Sequence, residues 1–182
     1  MSFSLRVSPL PGRLAECELL IAFADLTAYT VTTRRLSARD AAAFVDELYE
    51  RSHALIEPAG GRLVKFIGDA ALVVFPPERA EAGVLALLNY KRELDAWLEA
   101  IGYPGRLMVK AHFGSVVAGE FGPAHARRYD LIGDAVNLTA RLESHGFAMT
   151  AQAFRVLGSE ARKHFKKHTP PITYIPLEQP HA

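Results

Sequence analysis

The sequence predicts an α+β fold in which helices pack on a mainly antiparallel sheet. Three observations support this fold class. Short apolar segments of strand length are interspersed with two long segments of helical periodicity, and two of the strand-like segments are joined by a two-residue turn. The elements follow the order strand, helix, helix, hairpin, helix, strand pair, helix, strand. From this order we expect the helices to segregate to one side of the sheet.

Composition sets limits on the class of protein. The chain has 182 residues, with 49% hydrophobic and 23% charged content, which is typical of one soluble domain. The 21 basic and 20 acidic residues nearly cancel, so the net charge of +1 predicts no general attraction to nucleic acid or to an anionic membrane. The single cysteine, Cys17, excludes an internal disulfide. No signal peptide or membrane-spanning run is evident, which favours a cytoplasmic protein without direct membrane insertion, either complete or part of a larger one.

The first strand is expected to follow an irregular segment. Residues 1–16 contain Pro9, Pro11 and Gly12 and predict an irregular lead-in, so that residues 17–182 form a single domain. The segment ELLIAFA (residues 18–24) is an apolar run of strand length. It ends at Asp25, where a turn into a helix is expected.

A long helix and a hairpin come next. Residues 37–57 have the spacing of one buried helical face, with Ser37 as N-cap and Asp40 in the capping-box position. RLVKFI (residues 62–67) and AALVVF (residues 70–75) are strand-like and are joined by Gly68 and Asp69. The pattern predicts a β-hairpin with a carboxylate at its tip.

The second half of the chain has weaker patterns. Residues 78–100 predict an amphipathic helix, and residues 106–119 predict a bent strand or a tight strand pair around Gly114. The strand-like YDLI (residues 129–132) precedes a short helix over residues 133–142. Residues 152–163 predict a mixed helix. The last strand, ITYIPL (residues 172–177), is expected at a sheet edge because prolines flank it.

Asp25 and Asp69 are candidates for a metal site when they are considered together. Singly, a helix N-cap is the better explanation of Asp25, and Asp69 is readily explained as a turn residue. A strand end and a hairpin tip on neighbouring strands, however, bring two carboxylates within reach of the same ions. Mg²⁺ favours carboxylate oxygens, and two such ions about 4 Å apart stabilise both oxygens of an in-line displacement. The pair therefore indicates phosphoryl or nucleotidyl transfer.

Asn137 and Arg141 are a second candidate pair. Their i, i+4 spacing places both side chains on one face of the predicted helix. An amide and a guanidinium offer hydrogen-bond donors to ribose and phosphate oxygens. A solvated helix surface explains the same spacing equally well.

Four segments in order resemble the signature blocks of the class III adenylyl and guanylyl cyclase catalytic domain. They are FADLTAYT (residues 23–30), KFIGDAALVVF (residues 65–75), VKAHFGSVVAGEFG (residues 109–122) and YDLIGDAVNLTARLES (residues 129–144). The resemblance implies a ferredoxin-like βααββαβ core and an obligate head-to-tail dimer with its sites at the interface. For this chain it implies a homodimer.

The resemblance also implies roles for single residues. Asp25 and Asp69 match the aspartates that hold two Mg²⁺ or Mn²⁺ ions, and the backbone carbonyl of Leu26 matches a further metal ligand. Asn137 and Arg141 match the transition-state pair, which the other subunit contributes. The implied reaction converts a nucleoside triphosphate into a 3',5'-cyclic nucleotide and pyrophosphate.

Lys65 and Asp130 match the two positions that read the base in adenylyl cyclases. A lysine can donate to N1 of adenine, and a carboxylate can accept from its exocyclic amine, whereas guanine reverses this pattern. The implied substrate is therefore ATP and the product cyclic AMP. An exposed strand lysine and a structural aspartate are the alternative explanations of the two residues.

Two departures from the family pattern leave alternatives open. Ala28 stands where the family usually has glycine, in the turn over which the triphosphate lies. The tail lacks the usual Val-Lys-Gly stretch, and Lys166, or else Lys167, is the candidate for the lysine that binds the triphosphate. His112 is interpreted as a core histidine rather than a general base.

Three other functions remain as alternatives. A catalytically weak or inactive cyclase-like domain could bind nucleotide or a partner without turnover. A guanylyl cyclase is disfavoured by Lys65. A polymerase-palm or diguanylate cyclase relative is disfavoured because the chain has no GGDEF-like run.

Overall fold

The structure, a computed structural model, describes residues 11–180 and has a mainly antiparallel sheet at its centre. The described part of the chain forms eight strands in one sheet, with the order β2-β3-β1-β4-β6-β8-β7 and with β5 paired to β4. The strands are β1 (Leu14–Leu26), β2 (Arg62–Ile67), β3 (Ala70–Phe75), β4 (Leu107–Phe121), β5 (Arg128–Ile132), β6 (Phe147–Met149), β7 (Phe165–His168) and β8 (Thr173–Pro176). Of the described pairings, only β4 with β6 is parallel.

Helices cover the sheet. They are α1 (Tyr29–Thr33), α2 (Ala38–Ile56), α3 (Ala80–Ala100), α4 (Asp134–Arg141), α5 (Ala151–Arg155) and α6 (Ser159–Arg162), with a 3-10 turn at Pro77–Arg79. The predicted α+β class is confirmed. Among the described residues, no helix is both long enough and apolar enough to cross a membrane.

The N-terminus of α2 and the β2–β3 hairpin form as the local sequence predicts. Ser37 Oγ accepts a hydrogen bond from the Asp40 N–H (3.1 Å) and donates one to Asp40 Oδ2 (2.7 Å). The hairpin turns at Gly68, whose φ of +63° lies in the left-handed region that glycine adopts without strain. Asp69 follows at the tip, immediately before β3.

The two faces of β1 bury different clusters. Leu20, Ala22 and Ala24 face the main core, which α2 and α3 cover with large side chains such as Leu48 of α2 and Leu87 of α3. Successive residues of a strand point to opposite faces, so Leu19 and Ile21 need cover on the other side. That second cluster contains Val116 of β4, Leu131 of β5 and Ala135 of α4.

The expectation that the helices segregate to one side of the sheet is therefore wrong for α4. This helix follows β5, which pairs with the C-terminal part of β4. Residues of β5 and of α4 both belong to the cluster on the second face. β1 is apolar on both faces, so each face of the sheet needs helices to cover it. Burial of apolar area stabilises α2 and α3 on the first face and α4 on the second.

The irregular lead-in predicted for residues 1–16 is also too long. β1 begins at Leu14, because Leu14 to Glu16 pair with Gly119 to Val117 of β4. Residues 1–10 of the predicted lead-in lie outside the described residues. β4 is one strand rather than the strand pair that was the alternative, and its length supplies the partners for the early part of β1.

The C-terminal strand lies inside the sheet and not at its edge as predicted. β8 is flanked by β6 and by β7, and β7 forms the edge. Pro176 is compatible with this position because it stands at the end of the β7–β8 ladder, opposite Phe165. The helix predicted over residues 152–163 is divided into α5 and α6.

Candidate active site

Asp25 and Asp69 lie in contact at one end of the sheet. Asp25 is the last residue but one of β1, and Asp69 stands at the hairpin tip just before β3, which pairs with β1. Their carboxyl groups are close enough to share a hydrogen bond. The Leu26 N–H donates to Asp69 Oδ2 (3.1 Å), which ties the strand end to the hairpin tip.

The contact between the two carboxyl groups is electrostatically unfavourable without a cation. Burial, together with the hydrogen bond and the negative charge of Asp25, raises the pKa of Asp69 to about 6. A divalent cation would relieve the repulsion, and carboxylate oxygens suit Mg²⁺ or Mn²⁺. Within residues 11–180, no group of three or more His, Cys, Asp or Glu side chains is arranged so that it could hold a metal ion. The two carboxylates fit hard cations that complete their coordination with water and phosphate oxygens.

An open cleft adjoins the two aspartates. Leu26, Tyr29 and the first residues of α1 form its wall. Because the cleft is open to solvent and acidic on one side, a nucleotide carrying bound cations is a better fit than a bare anion. The cleft is lined by Asp25, Leu26, Ala28, Tyr29, Thr30, Val31 and Asp69.

Two tyrosines that the sequence did not single out hold the loops around this cleft. The Tyr49 hydroxyl donates to the Gly68 carbonyl (2.6 Å), and its ring stacks on Phe66 at a centroid distance of 3.6 Å. The Tyr103 hydroxyl donates to the Thr27 carbonyl (2.8 Å). Helical periodicity marks Tyr49 only as part of a buried face, and no local pattern identifies the partner of either hydroxyl.

Ala28 has a left-handed backbone conformation at the edge of the cleft, with φ +63° and ψ 9°. This conformation costs a residue with a Cβ about 1 to 2 kcal/mol. Ala28, which stands where the family usually has glycine, is therefore in a strained backbone conformation.

Ala28→Gly protein is expected to be as stable as the parent or up to about 1.6 kcal/mol more stable. Glycine lowers the free energy of unfolding by about 0.4 to 1 kcal/mol, because it increases the conformational entropy of the unfolded chain. The relief of strain in the folded state offsets or exceeds this loss. Urea denaturation followed by circular dichroism measures this difference. Ala42→Gly, at an exposed position inside α2, is the control and is expected to destabilise by about 1 kcal/mol. Equal losses for both variants would contradict the strain at Ala28.

Lys65 and Asp130 form an ion pair between β2 and β5. Lys65 Nζ donates to both carboxylate oxygens, at 2.8 and 2.6 Å, and the Leu131 N–H donates to Asp130 Oδ1 at 2.8 Å. The guanidinium of Arg62 lies over the ring of Tyr129 at 3.8 Å, which also joins the two strands. Both charged side chains of the pair are partly exposed, so the pair adds little stability and remains accessible.

Asn137 and Arg141 lie on the exposed side of α4. In the described part of the chain, neither side chain has a hydrogen-bond or ion-pair partner, so neither is bonded to the two aspartates. Leu138, between them, is 40% exposed. The fold of one chain therefore groups Asp25 with Asp69 and Lys65 with Asp130, and leaves the α4 pair directed to solvent.

The remaining candidates lie on β7 and β4. Lys166 Nζ donates to the Leu177 carbonyl (2.9 Å), whereas Lys167 is exposed. His112 is buried, and its Nδ1 shares a hydrogen bond with Thr150 Oγ1 (2.9 Å). Burial lowers the pKa of His112, which is the behaviour expected of a neutral core histidine.

Comparison with known proteins gives a consistent family. Residues 16–169 match the family model described as the adenylate and guanylate cyclase catalytic domain. The chain is 33% identical over 134 residues to the receptor-type guanylate cyclase gcy-13 of Caenorhabditis elegans, covering 69% of this chain and 13% of that protein. It is 36% identical over 124 residues to an adenylate cyclase of Glutamicibacter nicotianae, covering 68% and 27%.

The fold agrees with this match. The crystal structure of the adenylyl cyclase CyaB from P. aeruginosa superposes with a TM-score of 0.80 at 17% identity, covering 92% of this chain and 97% of that one. The chain spans about a quarter or less of the length of the two curated relatives. It belongs to the adenylate and guanylate cyclase catalytic domain family.

Proposed function

We propose that the chain is an adenylate cyclase catalytic domain that converts ATP into 3',5'-cyclic AMP and pyrophosphate. The observation that carries the reaction type is the contact between Asp25 and Asp69 beside an open cleft, since this is a carboxylate pair suited to hard cations. The curated relatives include adenylate and guanylate cyclases, so the family alone leaves the base open. The cytoplasm, where ATP is abundant, is the proposed location.

Asp25 and Asp69 would hold two Mg²⁺ or Mn²⁺ ions, with the backbone carbonyl of Leu26 as a further ligand. Class III cyclases generally use divalent metal ions. When bound, such ions neutralise triphosphate charge and lower the pKa of a hydroxyl that attacks phosphorus. Tyr49 and Tyr103 keep the two ligand-bearing loops in place through their bonds to Gly68 and Thr27.

Lys65 and Asp130 support ATP over GTP. The ammonium of Lys65 is a donor for N1 of adenine, and the Asp130 carboxylate is an acceptor for the exocyclic amine. Guanine presents a donor at N1 and an acceptor at O6, so both contacts would be mismatched. Because the pair is partly exposed, separating it to admit a base costs little.

Asn137 and Arg141 complete the site from a second copy of the chain. Their exposure without a partner among the described residues supports a role across an interface. Arg141 would stabilise negative charge at the α-phosphate, and Asn137 would orient the ribose. Lys166 is the proposed triphosphate contact, for which its ammonium must leave the Leu177 carbonyl.

The purified chain is expected to form cyclic AMP from ATP in the presence of Mn²⁺ or Mg²⁺. Chromatography of the product, with GTP in a parallel reaction and Asp25→Ala protein as the control, measures the activity and its base preference. Product no greater than that of Asp25→Ala protein would refute the enzyme. A faster reaction with GTP would refute the choice of adenine.

Lys65→Glu protein is expected to lose at least about tenfold in its preference for ATP over GTP. The substitution replaces a donor with an acceptor, and one charge-assisted hydrogen bond contributes about 1.5 to 3 kcal/mol. The ratio of kcat/KM for the two nucleotides measures it. Lys163→Glu is the matched control, because it reverses an exposed charge whose ion-pair partner among residues 11–180 is Glu160. An unchanged ratio in Lys65→Glu protein would remove Lys65 from base recognition.

A second candidate function is nucleotide binding without turnover. Ala28 favours it, because a strained residue with a Cβ stands at the cleft where a triphosphate backbone contact is proposed. Tight ATP binding by calorimetry without cyclic AMP formation would identify this function.

A further inference from the structure

A second cleft on the described surface lies away from the aspartates. It has a volume of about 450 Å³ and is bounded by α3, by Arg106 just before β4, by the segment just before β6 and by the end of β8 with the residues that follow it. This volume is in the range of small-molecule sites, which is about 300 to 1,000 Å³. Its apolar floor is formed by Leu88 and Pro176, two buried residues that line it. The cleft shares no lining residue with the one at Asp25 and Asp69.

The acidic groups of this cleft already have cationic partners. Asp95 pairs with Lys91 at 2.6 Å and also accepts from the Leu107 N–H at 2.7 Å. Glu178 pairs with Arg92 at 2.6 Å, and this hydrogen bond from Arg92 lowers the pKa of Glu178. Neither carboxylate is left to neutralise a further cation.

Two basic side chains of the cleft remain without such partners. Within residues 11–180, the side chains of Arg106 and His145 have no hydrogen bond or ion pair. A guanidinium binds a carboxylate or phosphate through two parallel hydrogen bonds. The uncompensated charge of the cleft is therefore positive and stands beside an apolar floor.

We infer that this cleft binds a small organic anion that combines an oxyanion group with an apolar body, and that Arg106 is its principal anchor. The apolar body lies against Leu88 and Pro176, and the oxyanion accepts from the Arg106 guanidinium. A neutral ligand of the same shape lacks the second contact, so charge decides selectivity.

The backbone of Arg106 connects this cleft to the proposed metal site. The Arg106 N–H donates to Thr27 Oγ1 (2.8 Å), and the Thr27 N–H donates to the Arg106 carbonyl (3.0 Å). Thr27 directly follows Leu26, and Leu26 binds Asp69 through its N–H. An anion that reorients Arg106 therefore acts on the loop that follows Asp25, which makes the cleft an effector site.

The test is a titration of the full ¹⁵N-labelled chain, without metal or nucleotide, followed by amide NMR shifts. Benzoate and phenyl phosphate are the anionic probes, and they distinguish a carboxylate from a phosphate ligand. Benzamide is the neutral probe of the same shape as benzoate. We expect at least one anion to shift the amides of Leu107, Gly146 and Thr27, and benzamide to bind at least about tenfold more weakly.

Substitutions locate the anchor. Arg106→Gln keeps the backbone bonds to Thr27 and is expected to weaken binding about tenfold or more. Arg106→Lys keeps the positive charge but loses the two parallel hydrogen bonds, so it is expected to weaken binding less than Arg106→Gln. Arg39→Gln removes an exposed guanidinium on α2 and is expected to change nothing.

Three results would overturn the inference. Equal affinity in Arg106→Gln and Arg39→Gln protein would exclude Arg106 as the anchor. Shifts confined to Thr30 and Val31 would place the anion in the other cleft. Shifts at Gly146 with none at Thr27 would exclude the connection to the metal loop. None of these measurements requires cyclase activity, so they are independent of the proposed reaction.

Discussion

Asp69→Asn protein is expected to form cyclic AMP about a thousandfold more slowly than the parent, a loss of about 4 kcal/mol in transition-state stabilisation. The substitution removes one of two carboxylates that are in contact at the cleft. An amide oxygen still accepts the hydrogen bond from the Leu26 N–H, so the loop keeps its main contact. The loss should therefore come from metal binding rather than from folding.

Two measurements separate these causes. Mn²⁺ should raise the melting temperature of the parent, because a ligand that binds only the folded state stabilises it. The same increase should be absent in Asp69→Asn protein. Asp46→Asn, at an exposed position on α2, is the matched control and should keep both activity and the Mn²⁺ effect. Activity within about tenfold of the parent in Asp69→Asn protein would exclude Asp69 as a metal ligand.

A mixture of Asp69→Ala and Asn137→Ala proteins is expected to recover about a quarter of the parent activity, although each variant alone is nearly inactive. In a symmetric dimer with two shared sites, half of randomly mixed dimers are heterodimers, and each has one intact site of two. The expectation follows from the structure of one chain, in which Asn137 forms no hydrogen bond with the aspartate pair or with any other described residue.

The control for this recovery is a mixture of two variants from the same half of the site. Asp25→Ala mixed with Asp69→Ala should stay inactive, because every site in every dimer then lacks one aspartate. Size-exclusion chromatography with differently tagged chains confirms that heterodimers form. If heterodimers are present and activity does not recover, all catalytic residues come from one chain.

Local pattern was sufficient for the elements with strong periodicity or turn chemistry. The Ser37 cap, the helix after it and the hairpin around Gly68 and Asp69 lie where the sequence places them. Even the approach of Asp25 to Asp69 follows from a strand end and a hairpin tip on neighbouring strands. Such features depend on residues close in sequence or on a single strand pairing.

Short or polar elements were not predictable. β7 contains Lys166 and Lys167 and has the composition of a loop, yet it pairs with β8 and makes β8 an interior strand. β6 has three residues and depends on its parallel pairing with β4. Their strand conformation comes from hydrogen bonds to distant segments, which a local window does not contain.

The site shows the same division. The residue types in four ordered segments were enough to indicate the family, and the match over residues 16–169 confirms it. Lys65 of β2 and Asp130 of β5 are sixty-five positions apart in the sequence, and only the tertiary structure brings them together. They meet because β5 folds back over the second face of the sheet. The same is true of the bonds from Tyr49 to Gly68 and from Tyr103 to Thr27.

Sequence alone therefore supplied the chemical groups and the local elements that carry them. The tertiary structure decided which of these groups meet. It also placed α4 on the face opposite α2 and α3, because both faces of β1 must be buried. Burial is a property of the whole packed chain, and the free energy that it contributes is shared among residues far apart in sequence.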